Sequence, residues 1–350
     1  MYLRHLGLLN FRSYPALELD LPPGLVVLHG ANAQGKTNLL EACYLLALAR
    51  SFRAESDREL VHWEAAARGE HALVSGVVVR REEALRVVVG LQVQPRGEGE
   101  ATIGVRKQVR VNGLPRLASE LVGMVGAVLF TADDVALVHG APALRRRFLD
   151  VVASQADPAY LRALQRYLRV LTQRNHLLRA LRERRARREE LLFWDEQLAQ
   201  EGAMVAAGRA EVLGRLAPLA AAEYGELSEG EPLALEYAPT VDPASGPWGF
   251  HRALEASHPR EVALGATQVG PHRDDLRLTS DGVDLTLYAS RGQARTVALA
   301  LHLAQAAYLR QAHGEAPLLL LDDVLSELDA RHRQHVLEKA AAHQQALLTT

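Results

Sequence analysis

The sequence is short of cysteine, lysine and aromatic residues, and it holds no long apolar run. One cysteine in 350 residues, Cys43, rules out an internal disulfide; in an apolar, helix-like stretch it reads as a buried thiol in a reducing compartment, the cytoplasm. Catalytic sulfur chemistry is not expected. Arg4, His5 and Arg12 interrupt the opening stretch, and no segment reaches the ~20 apolar residues of a membrane span, which argues against a signal peptide and against membrane insertion. A net charge of −2 excludes a globally basic protein, although a basic face opposite an acidic one would leave that total unchanged. Aromatics make up 5% of the chain and do not interleave with its basic runs, which disfavours a base-stacking platform for single strands. Lys36, Lys107 and Lys339 are the only lysines among 40 basic residues, so the setting of each is informative.

What is present is an ordinary globular composition, 48% hydrophobic and 23% charged, in a length suited to two packed units. Strands are expected at 2–10 and 25–29, a helix at 36–48, and three alternating runs between 73 and 111 closed by an Asn112-Gly113 turn, which together form an antiparallel β-layer. After a strand at 126–130, residues 143–204 have helical periodicity and almost no glycine before Gly202, so they read as a helical arm. Fully extended, about 50 residues of helix span roughly 75 Å, too short for a long tethering coiled coil. Residues 237–250, rich in Pro and Gly, read as a loop, with strands and helices alternating beyond it. Residues 1–142 and 251–350 are expected to form one α/β domain, with 143–250 as a helical insertion.

Gly30-Ala31-Asn32-Ala33-Gln34-Gly35-Lys36-Thr37 fits the phosphate-loop spacing G-x-x-x-x-G-K-[ST] between an apolar strand and a helix. The glycines let backbone N–H groups and the helix N-terminus wrap an anion, Lys36 reaches the β- and γ-phosphates, and the Thr37 hydroxyl is a ligand for Mg²⁺. The apolar run Leu318-Leu319-Leu320-Leu321 reads as a buried strand delivering Asp322 and Asp323. Asp322 is expected to hold Mg²⁺ and Asp323 to orient or deprotonate the attacking water, so Lys36, Asp322 and Asp323 are the candidate catalytic residues. Ser290, Gly292 and Gln293, at the start of a long helical run, form a further candidate anion site.

With these motifs the chain resembles the ABC-type ATPases, Ser290-Arg291-Gly292-Gln293 matching their signature and Ser326-Glu327-Leu328-Asp329 their D-loop. The resemblance implies a P-loop ABC-type ATPase head with an antiparallel β-layer and a second, mainly helical domain. It also implies a homodimer in which the signature of one copy contacts ATP held by the other, with Asp329 near the nucleotide. Arg291 stands where many members have Gly and Asp323 where most have Glu; the shorter carboxylate implies slow hydrolysis, a switch rather than a motor. Asp133 and Gln268 are the candidates for the metal-contacting loop, and Arg12 and Arg53 for nucleotide neighbours.

Five further stretches, Leu9-Asn10-Phe11-Arg12-Ser13-Tyr14, Ser51-Phe52-Arg53, Phe130-Thr131-Ala132-Asp133-Asp134, Gly270-Pro271-His272-Arg273-Asp274-Asp275 and Leu321-Asp322-Asp323-Val324-Leu325, resemble the RecF family of bacterial recombination mediators in the same order. That resemblance implies ATP-dependent binding of duplex or gapped DNA. It further implies RecO and RecR as partners and a part in RecA loading during repair, replication restart and the SOS response. A nucleotide-binding subunit of a membrane transporter is the alternative reading. The Arg-rich run 174–188, with seven Arg and one Glu, is either a phosphate-binding surface or a solvated helix face. Arg145, Arg146 and Arg147 cannot all face solvent at helical spacing. His272 and Arg273 beside Asp274 and Asp275 are either an ion-paired strand end or a contact near the nucleotide.

Overall fold

Period-two alternation of apolar residues shapes the start of the chain into β1 (Tyr2–Phe11) and β2 (Tyr14–Asp20), followed by the short apolar β3 (Gly24–Leu28) and helix α1 (Lys36–Leu48). A short α2 (Trp63–Ala67) leads to β4 (Ala72–Arg80), β5 (Glu83–Gln94), β6 (Gly104–Val111), β7 (Leu114–Arg116), the one-turn α3 (Ala118–Leu121) and β8 (Ala127–Thr131). The structure is a computed structural model that describes residues 1–94 and 104–350; the part of the predicted β-layer at 95–103 lies outside the described residues. Contacts divide the chain into one unit of residues 1–134 and 305–350 and another of residues 135–304.

In the first unit, β2-β1-β4-β5-β6-β7 form an antiparallel sheet. Asn112 and Gly113, at φ 50° and 81°, supply the left-handed pair of the β6–β7 turn. Helix α1 packs on this sheet and also on β8 and on the strands that close the unit. Being covered on both sides, it is buried without a break from Leu40 to Leu48. At Gly76 an added Cβ would come within 2.6 Å of Leu46 and 2.9 Å of Leu3, so the glycine sets how closely α1 approaches the sheet.

The second unit begins with α4 (Ala136–His139), α5 (Pro142–Ala156), α6 (Pro158–Arg182) and α7 (Leu192–Leu227). The predicted arm thus runs beyond residue 204, through Gly202, Gly208 and Pro218. The glycines survive in the helix because aromatic rings lie on them: an added Cβ would sit 3.2 Å from Phe250 at Gly202 and 2.5 Å from Tyr160 at Gly208. The stretch read as a loop is also more ordered than its composition suggests. It contains the end of β9 (Ala234–Ala238) and the start of α8 (Gly246–Leu264), where Pro247 occupies the first turn, a position that has no N–H to satisfy.

Next come β10 (Asp275–Ser280), β11 (Val283–Asp284), α9 (Leu285–Tyr288) and α10 (Arg291–His313), then β12 (Leu318–Asp322), α11 (Ala330–Ala342) and β13 (Gln345–Thr349). β10 pairs with β9 and β11, and α8 packs on α7, so residues 251–304 group with the helical unit rather than with the head as drawn from the sequence. In the first unit β3-β13-β12-β8 make a wholly parallel sheet, and the C-terminal ends of all four strands share one edge. Open α/β sheets bind ligands at that edge.

Arginines that composition presents as surface charge hold the second unit together from within. Arg174 is fully buried, pairing with Asp195 and Glu261 at 2.7 Å each; it therefore leaves the phosphate-surface reading, while Arg179, Arg182, Arg184, Arg185, Arg187 and Arg188 stay exposed. Arg145 is the inward member of its triplet, forked on Asp275 at 2.8 and 2.9 Å. Asp274 accepts from Thr240 and Tyr237, and His272 Nδ1 lies 2.6 Å from the Tyr167 hydroxyl. Residues 270–275 are thus an ion-paired strand end in this unit.

Burial lowers the His272 pKa to about 4, against 6.5 for a free imidazole. A histidine kept neutral by folding takes up its proton first in the unfolded chain. Its contribution to stability is therefore lost as pH falls from 6.5 towards 4. Urea unfolding at pH 7 and pH 5 should differ by up to about 2 kcal/mol from this group, and His272→Gln should remove that part of the difference.

Candidate nucleotide site

The loop between β3 and α1 turns through Ala33 at φ 64° and Gly35 at φ 94°. Gly35 is required twice over, for its left-handed backbone and because an added Cβ would meet Ser13 Oγ and the Tyr14 hydroxyl at 2.8 Å. Helix α1 starts immediately after it with no acidic residue in its first turn, leaving the N-terminal amides and positive dipole end unopposed. Lys36 Nζ donates to the carbonyls of Gly30, at 2.5 Å, and Ala31, at 3.1 Å, so the ammonium is held over the loop.

Asp322 ends β12 and is buried; its Oδ1 accepts from Thr37 Oγ1 at 2.9 Å and from Thr349 Oγ1 at 2.9 Å. Thr349 Oγ1 in turn accepts from the amide of Asp323 at 2.8 Å. Asp323, at φ 51°, is exposed. Asn32, Ala33, Gln34, Gly35, Lys36, Thr37, Asn38, Arg53, Asp322, Asp323 and Thr349 thus line one open cleft of about 330 Å³. Two cis ligands of an octahedral Mg²⁺ at about 2.1 Å stand about 3.0 Å apart. The separation of the Thr37 and Asp322 oxygens, 2.9 Å, fits that ion, and both are the hard oxygen donors it prefers.

Behind the loop lies Glu41, wholly buried on α1. It is gripped by Arg12 through two bonds of 2.8 and 2.7 Å, by Arg53 at 3.0 Å and by Ser51 Oγ at 2.5 Å. Burial would raise its pKa, but Arg12, Arg53 and Ser51 outweigh that and hold the carboxyl below the usual glutamate range. Arg53 also donates to Asn38 and lines both the phosphate cleft and a neighbouring cavity of about 410 Å³ with Arg12, Val61 and Trp63. Sequence reasoning missed Glu41, Thr349, Asn38 and Trp63; the only signal for Glu41 was a lone acid in an apolar helix.

Asp133 follows β8, whose Thr131 is the register partner of Asp322, so it belongs to the same sheet edge. Gln268 lies in the second unit, its side-chain amide donating to the carbonyls of Ala266 and Thr267. Ser290, Gly292 and Gln293 also belong to that unit. Ser290 Oγ accepts from the Gln293 amide at 3.1 Å and caps α10, while Gln293 donates to the Tyr224 hydroxyl and to Glu231. Ser290 and Gly292 are exposed, next to Leu287 and Tyr288 at 71% and 74% exposure. Asp329 caps α11, accepting from the His332 amide at 2.9 Å.

Residues 2–350 match the family described as the RecF/RecN/SMC N terminal domain. The chain is 45% identical, over 366 aligned positions, to the DNA replication and repair protein RecF of Chloroflexus aurantiacus, covering 100% of this chain and 93% of that protein. The chain belongs to the RecF family. The protein of that name from Moorella thermoacetica is 42% identical, with 99% and 89% covered. A solved structure of the recombination mediator protein RecF-ATP in the RecFOR pathway is similar at a TM-score of 0.89 and 32% identity, covering 100% of this chain and 91% of that chain. The Smc head domain of Pyrococcus furiosus matches at a TM-score of 0.54 and 17% identity over 100% and 89%, a likeness of fold alone. These relatives give no support to a transporter subunit, and among the described residues no helix is long and apolar enough to cross a membrane.

Replacing Glu41 by Gln would leave two arginines around a neutral amide in a site with little water. Because Arg53 is partly solvated, the cost is expected to fall at or just below the ~3–5 kcal/mol of a broken buried pair, about 2–3 kcal/mol; thermal unfolding with and without nucleotide measures it.

Proposed function

We propose that this protein is an ATP-driven switch of DNA replication and repair, acting in the cytoplasm. Two copies close on two ATP·Mg²⁺ molecules and, so closed, bind duplex or gapped DNA. The observation that carries the reading is the bond of Thr37 to Asp322 in the cleft that Lys36 also lines, an arrangement suited to Mg²⁺ and a triphosphate, in a chain of the RecF family. Thr37 and Asp322 hold the metal. When bound, Mg²⁺ neutralises charge on the phosphates, while the amides of residues 30–37 and the Lys36 ammonium orient them. Asp323, exposed beside Asp322, takes a proton from the attacking water; its short side chain and left-handed backbone suit slow turnover to ADP and phosphate.

The cavity next to the phosphate cleft is the seat for the base, with Trp63, 73% exposed, as its stacking surface. The signature residues Ser290, Gly292 and Gln293 of one copy, with Asp329, face the γ-phosphate of the other. The exposure of Leu287 and Tyr288 beside them supports a covered surface there. RecO and RecR are the expected partners, and the closed dimer on DNA promotes RecA loading.

Sedimentation with ATP and Mg²⁺ tests the assembly. Lys36→Met should abolish ATP-induced dimers, whereas Ser290→Arg should bind ATP normally and remain monomeric; a dimer from either variant contradicts the composite site. Trp63→Ala should weaken ATP binding about tenfold, the scale of one lost base stack. Labelled duplex added at two salt concentrations should co-sediment only with the dimer, less so at high salt.

A further inference from the structure

Lys107 is the lone lysine of the antiparallel sheet, in a chain with three lysines among 40 basic residues. It lies on β6 with the parity of Val109 and Val111, which are buried, and its own side chain is 18% exposed. Its ammonium donates to the Ala49 carbonyl at 2.7 Å and pairs with Asp57 at 2.7 Å. Ala49 is the left-handed C-cap of α1, and Asp57 opens the 3-10 turn Asp57–Leu60. One cation therefore joins the two ends of the segment 49–57.

Between those ends the segment is folded towards the phosphate cleft. Ser51 Oγ accepts from the amides of Arg53 and Ala54 at 3.0 and 2.8 Å and donates to Glu41. Phe52 meets the Tyr44 ring edge-on at 5.7 Å. At its apex Arg53, the most exposed of the groups on Glu41, reaches Asn38 and both cavities.

We propose that Lys107 is a positioning residue for nucleotide binding: it closes the loop 49–57 and so fixes Arg53 beside the phosphates. This rests on the reading of the cleft as a nucleotide site. Without the cation, the Ala49 carbonyl and Asp57 lose their common partner, and the loop regains conformations in which Arg53 points elsewhere. A lysine suits the task because a compact ammonium with three rotatable donors serves two acceptors in a narrow gap, where a planar guanidinium would have to spread them.

The test is a double-mutant cycle read by titration of a fluorescent ATP analogue with Mg²⁺ into the full chain. Lys107→Met should weaken binding about fivefold in the parent but less than about twofold in an Arg53→Ala background, because the lysine acts through the arginine. Asp57→Asn should show the same dependence on Arg53, which keeps the question answerable if Lys107→Met folds poorly. Unchanged affinity in Lys107→Met, or an equal loss with and without Arg53, overturns the inference while leaving the nucleotide site in place. A parent chain that does not bind the analogue overturns both.

Discussion

The carboxylate of Asp322 is the interaction on which the rest of the site depends. It ends β12, accepts a bond from the phosphate loop through Thr37 and another from the end of β13 through Thr349. Because β13 lies between β3 and β12, these two bonds register the loop, the acidic strand and the last strand against one another. A buried carboxylate in this position has to be compensated, and two threonine hydroxyls compensate it only in part. The remaining demand for positive charge is what a divalent cation would satisfy, so the residue that orders the strand ends is also the one through which we propose that metal and phosphate are held.

The phosphate loop rests on a second, purely protein-made cation–anion set. Glu41 anchors Arg12 from the first strand turn and Arg53 from the loop after α1. The helix that begins at the loop thereby carries on its back a charge that fixes two arginines at its front. Arginine placement, and with it the proposed binding of phosphate and metal, thus depends on one helix packed between two sheets.

Much of this was legible in the sequence. The spacing of Gly30, Gly35, Lys36 and Thr37 demanded a strand–loop–helix, and α1 occupies the predicted residues. The apolar run before Asp322 read as a buried strand, and β12 is one, parallel to both its neighbours. What stayed hidden depends on partners distant in sequence. Glu41 has its meaning only beside Arg12 and Arg53, and Thr349 only beside Asp322. Arg174 looked like surface charge, and which of Arg145, Arg146 and Arg147 turns inward stayed open, because helical periodicity does not announce a buried carboxylate from another element. The arm was read as ending at residue 204, whereas Phe250 and Tyr160 make Gly202 and Gly208 places of close packing within a helix that runs on.

The central claim, that Thr37 and Asp322 form a metal-assisted nucleotide site, is tested most directly by calorimetric titration of ATP with and without Mg²⁺, in the parent and in Asp322→Asn. The account predicts that Mg²⁺ strengthens ATP binding at least tenfold, about 1.4 kcal/mol, in the parent and hardly at all in the variant. Equal binding with and without Mg²⁺ in the parent, or an undiminished Mg²⁺ effect in Asp322→Asn, would contradict it.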